Sequence, residues 1–567
     1  MNEQKRSQCQ ERYKNLLPNL ADYVEKHARE NAAGLALIEH NTGEHISWKD
    51  FNKSVNAFAA KLLSIGLRKG DIVATSLPLL KEHVYLMYAC HRVGLIIAPL
   101  DLRLKTGEIQ YCLDKIKPKA YFFLGKTPLA DFRPMIQEVM KSSPYVDHWV
   151  QFQKEPELVI PGAVGIGQFV ADIKWVFIKS LLTGAVKKAR AKVGKRDACL
   201  IIFTTGSTGS PKPGLICHEN ILIQNIGLIV AFDMAEKDRM LVNLPPSHVG
   251  CVTEQLDTTI VGGGTCVLLH VFDPAASLQA IQQHKVTTLG QIPALFNLEW
   301  RLPDYAKYDL SSLRFAIYGG QSVPREFLEK LQAMAPTIGT GLGLTETAGF
   351  CTYTDIGASV DSLAQGIGFD SPLCPIGIRA PMTTDGKAGA EKKPGEIGEI
   401  CFSGPQVFLG YLGDQANTAK TISIDGVLYT GDLGYYDDKG LHFAGRSKMV
   451  IKPKGYQVFP EDVENHIAGK FKGLVTMVAA VGVEHAVFSE GIVVFVEKAR
   501  ADVSLSAKDV MAACEDISAY SRPSHVEVVD PEGIPLNRVA KTDYLNLKAA
   551  AKRIIDELRA KGGWDAA

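Results

Sequence analysis

Short apolar segments alternate with amphipathic helical patterns through about the first 200 residues, and this alternation most restricts the folds open to the chain. Phe51, Val55, Phe58 and Leu62 recur at the spacing of one helix face, and Gly66 follows as a stop signal. The apolar segment IVATSL comes next, and the same order repeats in YLMYACHRVGLIIAPL and AYFFLG. Strands joined by helices favour a largely parallel sheet covered on both faces, so we expect an α/β protein.

The pattern changes near residue 447. Before it, DGVLYTGDLGYYDDKGLHFAGR is rich in turn residues and alternates apolar with polar positions, which predicts hairpins. After it come two apolar strands, MVAAVGV and GIVVFVE, and a last helix with one apolar face formed by Leu547, Ile554, Ile555 and Leu558. We therefore predict a large N-terminal domain of layered sheets and helices, residues 1–447, and a small C-terminal α+β lobe, residues 448–567.

Composition excludes several classes of function. Lysine plus arginine and aspartate plus glutamate each number 62, so no surplus of positive charge attracts nucleic acid. The 11 cysteines form no C-x-x-C pair, which favours buried thiols in a cytoplasmic protein. The start MNEQKRSQCQERYKN is polar, and no apolar run reaches the roughly 20 residues that a membrane span needs. The oligomeric state stays open.

Residues 150–195 are the least patterned part of the chain, and they carry no readable function. Within them, the segment Trp175 to Val186 is apolar and is followed by KKARAK. We interpret it as an amphipathic surface helix, the alternative being a helix that touches a membrane or a partner.

The strand-like segment ACLIIF, residues 198–203, runs into a loop of glycine, hydroxyl and lysine residues. The loop is Thr204, Thr205, Gly206, Ser207, Thr208, Gly209, Ser210, Pro211 and Lys212. Backbone N–H groups and hydroxyls of such a loop can surround phosphate oxygens, with lysine adding a positive charge. The common nucleotide loop needs G-K-[ST], whereas Lys212 lies between two prolines. We expect a phosphate site here, and the alternative is a flexible surface loop.

TTGSTGSPK resembles the signature of the adenylate-forming superfamily, the AMP-dependent synthetases and ligases. Further segments resemble its other signatures in the same order: Gly319-Gly320-Gln321, Leu342 to Glu346, Tyr429 to Asp432, Gly445 to Lys448, Lys452 to Tyr456 and Pro535 to Lys541. The resemblance implies an acyl-CoA synthetase. Such an enzyme uses ATP and Mg²⁺ to convert a carboxylic acid into acyl-AMP and pyrophosphate, and then transfers the acyl group to CoA.

The resemblance also implies the residues of the adenylation site. Lys541, Glu346 and Thr345 are the expected catalytic residues, with Glu346 also holding the metal. The expected ATP and AMP ligands are Thr204, Thr205, Gly206, Ser207, Thr208, Gly209, Lys212, Gly320, Gln321, Leu342, Thr345, Asp432 and Arg446. Read alone, Asp432 is equally a turn residue and Arg446 equally one half of a surface ion pair.

For the second step, the resemblance implies that the small lobe is mobile and rotates about a hinge at Lys448. Lys452, Gly455 and Tyr456 would then form a tunnel for CoA. The acyl pocket would include His248, Cys251 and Gly320. The segment SHVGC lacks the aspartate by which peptide-synthetase adenylation domains bind an amine, so an uncharged acyl tail is favoured, of a medium-chain, aromatic or alicyclic acid.

The chain departs from the family pattern at two positions. Ala540 stands where the family has a glycine just before its lysine, and Leu342 stands where an aromatic ring usually stacks on adenine. Loss of that ring removes about 1 kcal/mol of stacking, which predicts weaker ATP binding. Two other functions remain possible: a luciferase-like or other acyl-adenylate transferase that does not use CoA, and a nucleotide-binding protein without turnover.

Overall fold

A computed structural model of the chain describes residues 1–204, 211–446, 449–453, 456, 458–487, 489–537 and 541–565. The α-helices are α1 (Glu3–Lys14), α2 (Leu20–Glu30), α3 (Trp48–Ser64), α4 (Lys81–Val93), α5 (Thr106–Ile116), α6 (Arg133–Ser142), α7 (Ile166–Val170), α8 (Ile173–Thr183), α9 (Ala185–Arg190), α10 (His218–Ala231), α11 (Thr258–Gly262), α12 (Pro274–His284), α13 (Pro293–Trp300), α14 (Arg325–Met334), α15 (Val360–Gln365), α16 (Gln415–Thr421), α17 (Pro460–Lys470), α18 (Ala507–Ala513) and α19 (Tyr544–Ala560). A π-helical segment, Gly250–Asp257, precedes α11.

The strands are β1 (Leu35–Glu39), β2 (Glu44–Ser47), β3 (Ile72–Ser76), β4 (Ile96–Pro99), β5 (Ala120–Leu124), β6 (His148–Phe152), β7 (Val164–Gly165), β8 (Ala198–Thr204), β9 (Lys212–Cys217), β10 (Arg239–Val242), β11 (Thr265–Leu268), β12 (Thr288–Gln291), β13 (Phe315–Tyr318), β14 (Thr337–Gly339), β15 (Gly343–Leu344), β16 (Gly349–Phe350), β17 (Thr352–Tyr353), β18 (Phe369–Asp370), β19 (Ile376–Arg379), β20 (Gly398–Phe402), β21 (Leu428–Asp437), β22 (Gly440–Arg446), β23 (Val475–His485), β24 (Ser489–Lys498) and β25 (His525–Val529).

The predicted α/β architecture is confirmed, although the parallel strands form two sheets rather than one. The first 7-stranded sheet has the order β7-β6-β5-β3-β4-β8-β9, and only β9 runs antiparallel to its neighbour. The second 7-stranded sheet has the order β14-β13-β12-β10-β11-β1-β2, with β2 antiparallel. A repeating helix and strand pattern shows that parallel sheets form, but it does not show how many.

Helices cover both faces of the first sheet, as expected. Along β3, Val73 packs in the main core with α3 and α4, whereas the next residue, Ala74, packs in a separate cluster with α5. The predicted stripe on α3 is buried. That helix begins where the Ser47 side chain accepts a hydrogen bond from the Asp50 N–H, and Gly66 follows with a φ of 98°.

The predicted hairpin is present as β21 and β22, which pair in a 4-stranded antiparallel sheet with β20 and β19. The predicted strands of the C-terminal part are β23 and β24, which with β25 form a 3-stranded sheet. Helix α19 packs on this sheet through its predicted apolar face. The two apolar clusters here contain only residues from Ile451 onward, which agrees with a lobe boundary near residue 447, although the boundary stays a prediction.

The segment predicted as one surface helix from Trp175 to Val186 is two helices. Gly184, with a φ of 65°, ends α8 and separates it from α9 because this backbone conformation does not continue a right-handed helix. The surface position is confirmed, since Trp175 is 72% exposed and Leu182 84% exposed. All 11 cysteines are free and buried, as expected. Across the described residues, we find no helix with both the length and the apolar character to cross a bilayer.

Candidate active site

A cavity of about 910 Å³ opens where the carboxyl ends of the parallel strands of both sheets meet. Leu100 follows β4, Asn243 follows β10, Ile292 follows β12, and Gly319 follows β13; all four line the cavity. Ligands of open α/β sheets bind at the carboxyl ends of the strands. The two sheets and the C-terminal part together therefore form one candidate site.

The strand that enters the predicted phosphate loop and the strand that leaves it reach the cavity. Thr204, the last residue of β8, pairs with Lys212, the first residue of β9, and both side chains line the cavity. The Lys212 Nζ lies 5.2 Å from the centroid of the Tyr411 ring. The predicted ligands Thr205, Gly206, Ser207, Thr208 and Gly209 lie outside the described residues, so their part in the site stays a prediction.

Thr345 and Glu346 begin a 3₁₀ turn directly after β15, and both line the cavity. The hydroxyl of Tyr411 donates a hydrogen bond of 2.6 Å to Oε1 of Glu346, and the N–H of Phe408 donates to the Glu346 carbonyl at 3.0 Å. These two bonds hold the carboxylate of Glu346 at the cavity wall.

Leu342, the predicted adenine wall, does not line the cavity. Its side chain is partly buried against the main core, and its carbonyl accepts a hydrogen bond from the N–H of Cys351 at 2.8 Å. Leu344, two residues later and on β15, does line the cavity. Leu342 precedes this two-residue strand, so the alternation of side chains along a strand does not relate the two leucines, and motif position alone did not fix which of them reaches the cavity.

Asp432 and Arg446 are brought together by the register of the β21–β22 hairpin, where they are directly paired. The Arg446 Nε lies 3.2 Å from Oδ1 of Asp432, and both residues line the cavity. Asp432 is buried, and burial raises the pKa of its carboxyl group, while Arg446 and Lys541 act in the opposite direction. A buried carboxylate beside a guanidinium offers charge-assisted hydrogen bonds to hydroxyl groups of a ligand.

Lys541 reaches the cavity from the C-terminal part of the chain. Its backbone is held by Asn537, whose Oδ1 accepts from the Lys541 N–H at 3.1 Å and whose N–H donates to the Lys541 carbonyl at 2.7 Å. Burial first and the charge of Arg446 second lower the pKa of Lys541 to about 8, against the carboxylates of Asp432 and Glu254, which act to raise it. The ammonium group therefore lies between charges of both signs inside the cavity.

Gly320 provides the space that Lys541 occupies. It has a φ of 93°, and a Cβ placed on it would lie 3.1 Å from Cε and 3.3 Å from Nζ of Lys541. A side chain here would both strain the backbone and push the lysine away. Its neighbour Gln321, also a predicted ligand, is exposed and does not line the cavity.

Of the predicted acyl-pocket residues, His248 and Gly320 line the cavity and Cys251 does not. The Nδ1 of His248 accepts a hydrogen bond from the N–H of Gly250 at 3.0 Å, and burial lowers the pKa of the ring to about 4. The ring is therefore neutral at physiological pH. Cys251 is fully buried in the core behind the wall, because the helical turn that begins at Gly250 directs it away from the cavity.

Sequence reasoning missed Glu254, which places a carboxyl group in the cavity wall. A Cβ on Gly349 would lie 2.7 Å from its Oε1, and a Cβ on Gly250 would lie 3.6 Å from its Oε2. Burial raises the pKa of this group to about 7, while a hydrogen bond from the N–H of Phe350 and the charge of Lys541 lower it. Its signal in the sequence is weak, because it lies outside every motif, on the π-helical segment.

The other polar side chains of this wall bond one another. The Nε2 of Gln255 donates to Oδ1 of Asn243 at 3.1 Å, and the Nδ2 of Asn243 donates to Oε1 of Gln291 at 2.7 Å. Glu254 differs, since within the described part of the chain no basic side chain forms an ion pair with it. The expectation of an uncharged acyl tail came from SHVGC, and Glu254, three residues after that segment, adds a carboxyl group to the wall.

The residues predicted to form a CoA tunnel lie away from the cavity. Lys452 is exposed, and its N–H donates to Oε2 of Glu490 at 2.6 Å. Tyr456 is 55% exposed and stacks on Tyr520 with ring centroids 4.4 Å apart. Gly455 and the predicted hinge residue Lys448 lie outside the described residues. The structure thus brings Lys541 to the cavity, not Lys452 or Tyr456.

Comparison with known proteins agrees with this site. The family described as AMP-binding enzyme matches residues 24–412. A 3-[(3aS,4S,7aS)-7a-methyl-1,5-dioxo-octahydro-1H-inden-4-yl]propanoyl:CoA ligase of Rhodococcus jostii (strain RHA1) is 30% identical over 509 residues, covering 88% of this chain and 92% of the relative. A feruloyl-CoA synthase of Amycolatopsis sp is 27% identical over 435 residues, covering 76% and 80%.

Among solved structures, ATP-bound MatB from Rhodopseudomonas palustris superposes with a TM-score of 0.76 at 22% identity, covering 94% of this chain and 99% of that one. This likeness shows the fold. The family match covers more than half of the chain and includes the strands and the Glu346 turn that line the cavity. The chain therefore belongs to the family of AMP-binding enzymes.

Proposed function

We propose that this protein is an AMP-forming acid–CoA ligase. In the first step, a carboxylate oxygen attacks the α-phosphorus of ATP and displaces pyrophosphate, giving acyl-AMP. In the second, the sulfur of CoA attacks the acyl carbon, the thiol proton passes to solvent, and AMP leaves. The observation that carries the proposal is the ammonium group of Lys541 inside a cavity that also holds Glu346, Asp432 and Arg446.

The position of Lys541 in the cavity supports a role in adenylation. A carboxylate and a triphosphate repel each other, and a cation fixed between them stabilises the charge that develops as they meet. In the cavity, the Lys541 side chain lies against Gly320, at the carboxyl end of β13, and within electrostatic reach of Asp432. We assign it to bridge the acid and the α-phosphate, and Thr345 to contact the same phosphate.

The residues present fit a Mg²⁺ ion that arrives with ATP. Carboxylate oxygens are the ligands that Mg²⁺ prefers, and the Tyr411 hydroxyl fixes one oxygen of Glu346 at the cavity wall. Glu346 would hold the ion, which supplies positive charge for the departing pyrophosphate. Lys212, at the end of the phosphate loop, adds a positive charge of the protein itself on this side.

For the nucleoside, we assign the ribose hydroxyls to Asp432, with Arg446 beside it. The two side chains are fixed by strand pairing and lie on the cavity surface. The phosphate loop from Thr204 to Lys212 would surround the phosphates. Leu344 supports this arrangement better than Leu342 as an apolar wall for adenine, since its side chain lines the cavity.

For the second step, we propose that the lobe of residues 448–567 rotates against residues 1–447. Lys541 would then leave the cavity, and the segment with Lys452, Gly455 and Tyr456 would face the acyl-adenylate and form the CoA tunnel. The exposed positions of Lys452 and Tyr456 fit residues that act only after such a movement. Lys448 is the proposed hinge.

Replacing the hinge residue tests this rotation. Lys448→Pro fixes φ near −65° and is expected to preserve ATP–pyrophosphate exchange within about threefold while slowing acyl-CoA formation by at least about 100-fold. Lys448→Ala, which removes the same side chain but leaves φ free, is the matched control and should keep both half-reactions. Equal loss of both half-reactions in Lys448→Pro would contradict a two-position lobe.

A panel of carboxylic acids tests the proposed function as a whole. Pyrophosphate release is measured with and without CoA, and acyl-CoA is identified by mass. An acid–CoA ligase releases pyrophosphate with a suitable acid and forms the thioester only with CoA. A luciferase-like transferase would release AMP without CoA, and a nucleotide-binding protein without turnover would show no acid-dependent exchange.

The acid itself is expected to carry a ring or a medium-length chain. The cavity of about 910 Å³ must accept ATP as well as the acyl group, and the wall includes apolar residues such as Leu244, Ile292 and Leu295. The two relatives described above act on a feruloyl and a bicyclic propanoyl group, which supports a ring-bearing acid. The carboxyl of Glu254, which forms no ion pair within the described part of the chain, favours an acid that also bears a hydroxyl or amino group.

The Glu254 side chain gives a test of acid preference. Glu254→Gln is expected to lower kcat/KM by about 10- to 100-fold for an acid with a hydroxyl or amino donor that reaches this wall, because a charge-assisted bond contributes about 1.5–3 kcal/mol. For the matched acid with a methyl group in place of the donor, kcat/KM should change less than about threefold. Equal effects on both acids would contradict a role of Glu254 in recognising the acyl group.

The pH dependence of adenylation follows from Lys541. The ammonium form is active, and the pKa of this group is lowered to about 8 by burial first and by Arg446 second. We therefore expect kcat/KM for the acid, which reports the free enzyme, to fall as pH rises through about 8. Lys541→Arg should move this fall above pH 10, because guanidinium stays protonated there. An unchanged midpoint in the arginine variant would contradict the assignment.

A further inference from the structure

A second group of chemically capable side chains lies in the core, outside the candidate active site. His91 of α4, Cys199 of β8 and His218 of α10 come from three separate elements, and one ligand atom of each lies within 4.8 Å of the others. None of these residues lines the cavity of the active site, and the proposed function uses none of them.

The two histidines are buried without the hydrogen bonds that buried imidazoles require. His91, His218 and Cys199 are 0% exposed, and the rings of the two histidines meet at 5.5 Å between centroids. Within the described residues, all ring nitrogens of both histidines lack a hydrogen-bond partner. A buried polar atom without a partner costs free energy and calls for an explanation, such as a bound ion.

Each imidazole ring can offer one nitrogen lone pair to a metal ion. Imidazole nitrogen and thiolate sulfur are both ligands of Zn²⁺ in proteins, and these three leave one of its four tetrahedral positions to another donor.

The spacing of the three ligand atoms is compatible with one ion after a small contraction. Zinc bonds of about 2.0–2.1 Å to nitrogen and about 2.3 Å to sulfur in a tetrahedron separate ligand atoms by about 3.4–3.6 Å. The atoms here lie within 4.8 Å, so each would move by roughly 1 Å or less. Rotation of the three side chains can produce a movement of this size.

Charge balance favours a divalent ion at the same place. A buried Zn²⁺ requires negative charge nearby, and the Cys199 thiolate supplies one unit. Asp257 supplies a second: its Oδ1 accepts from the Tyr88 hydroxyl at 2.6 Å, whereas its Oδ2 is buried with no partner among the described residues. The Tyr88 ring also contacts that of His91 at 5.5 Å, which places this carboxylate beside the cluster.

We propose that His91, Cys199 and His218 bind a structural Zn²⁺ ion. The site lies at the base of the β8–β9 pair, since Ala198 pairs with Cys217 there, while Thr204 pairs with Lys212 at the loop end. Four residues of β8 lie between Cys199 and Thr204, a distance of about 17 Å along the strand, so the ion would not touch the reacting groups. It would join α4, β8 and α10.

The test begins with metal content. The full chain, without a histidine tag, is purified from cells grown with Zn²⁺, and zinc is measured by mass spectrometry. We expect about one equivalent of Zn²⁺ per chain. Cys199→Ala and His91→Leu should each reduce zinc content at least about tenfold, whereas Cys401→Ala, a fully buried cysteine in another sheet, should retain the metal.

If the variants fail to fold, a spectroscopic measurement on the wild-type protein tests the proposal instead. Wild-type protein from cells grown with Co²⁺ in place of Zn²⁺ should show a thiolate-to-cobalt charge-transfer band, which one Cys ligand produces. Prolonged treatment with a strong chelator should lower the Tm of the zinc protein. Wild-type protein without zinc or cobalt, or metal retained by folded Cys199→Ala, would overturn the proposal.

Discussion

Replacing Lys541 by alanine is expected to slow acid-dependent ATP–pyrophosphate exchange by about 100- to 1,000-fold, the usual effect of removing one charged group that stabilises a transition state. The reason is electrostatic. Lys541 is the cavity-lining ammonium that comes from the C-terminal part of the chain, and without it the acid and the α-phosphate repel each other without compensation. ATP binding itself should change much less, because the ribose and the metal are held by other residues.

The half-reactions separate this effect from damage to the fold. Lys541→Ala should still convert chemically prepared acyl-AMP and CoA into acyl-CoA at a rate within about tenfold of the wild type, since that step does not need the lysine. Lys548→Ala, a change at an exposed lysine of α19 in the same lobe, is the matched control and should keep both activities. Exchange at the wild-type rate in Lys541→Ala would remove the central support of the proposed mechanism.

The second large effect is expected at Asp432. Asp432→Ala removes the carboxylate that we propose as the acceptor of two ribose hydroxyls, and it leaves the guanidinium of Arg446 without the carboxylate that lies 3.2 Å from it. Charge-assisted hydrogen bonds contribute about 1.5–3 kcal/mol each, so kcat/KM for ATP should fall by at least about 100-fold. The measurement is the dependence of exchange on ATP concentration, together with ATP binding by calorimetry.

The β21–β22 hairpin provides a close control for this variant. Asp438→Ala changes an exposed aspartate at the turn of the same hairpin and should leave the ATP parameters unaltered. A further comparison uses 2′,3′-dideoxy-ATP, which lacks both hydroxyls. If Asp432 binds them, this analogue should show little difference between wild type and Asp432→Ala, whereas an equal loss with ATP and with the analogue would place the role of Asp432 elsewhere.

The parts of the fold that depend on local periodicity were predictable from the sequence. The apolar stripe of α3, the alternation in β21 and β22 and the apolar strands β23 and β24 are all present, because a period of 3.6 or 2 residues determines which faces are buried. Division of the parallel strands into two sheets was not predictable. It depends on strand neighbours far apart in sequence, such as β1 and β11.

At the site, the motifs predicted correctly which side chains reach the cavity where the backbone allows a side chain only one orientation. Asp432 and Arg446 meet because hairpin register pairs them, and Thr345 and Glu346 reach the cavity because a turn begins directly after a strand. Cys251 and Leu342 were expected at the cavity and are packed in or against the core, since a motif fixes sequence position and not which way a side chain faces. Glu254 was missed because its turn is π-helical.

Arg446 lines the cavity and is the last residue of β22, immediately before the proposed junction with the C-terminal lobe. The proposed rotation about that junction would displace the guanidinium that lies beside Asp432. The rotation proposed for thioester formation would thereby weaken the contact between Arg446 and Asp432 and, with it, nucleotide binding. AMP would then dissociate only after the same rotation has brought the thiol of CoA to the acyl group.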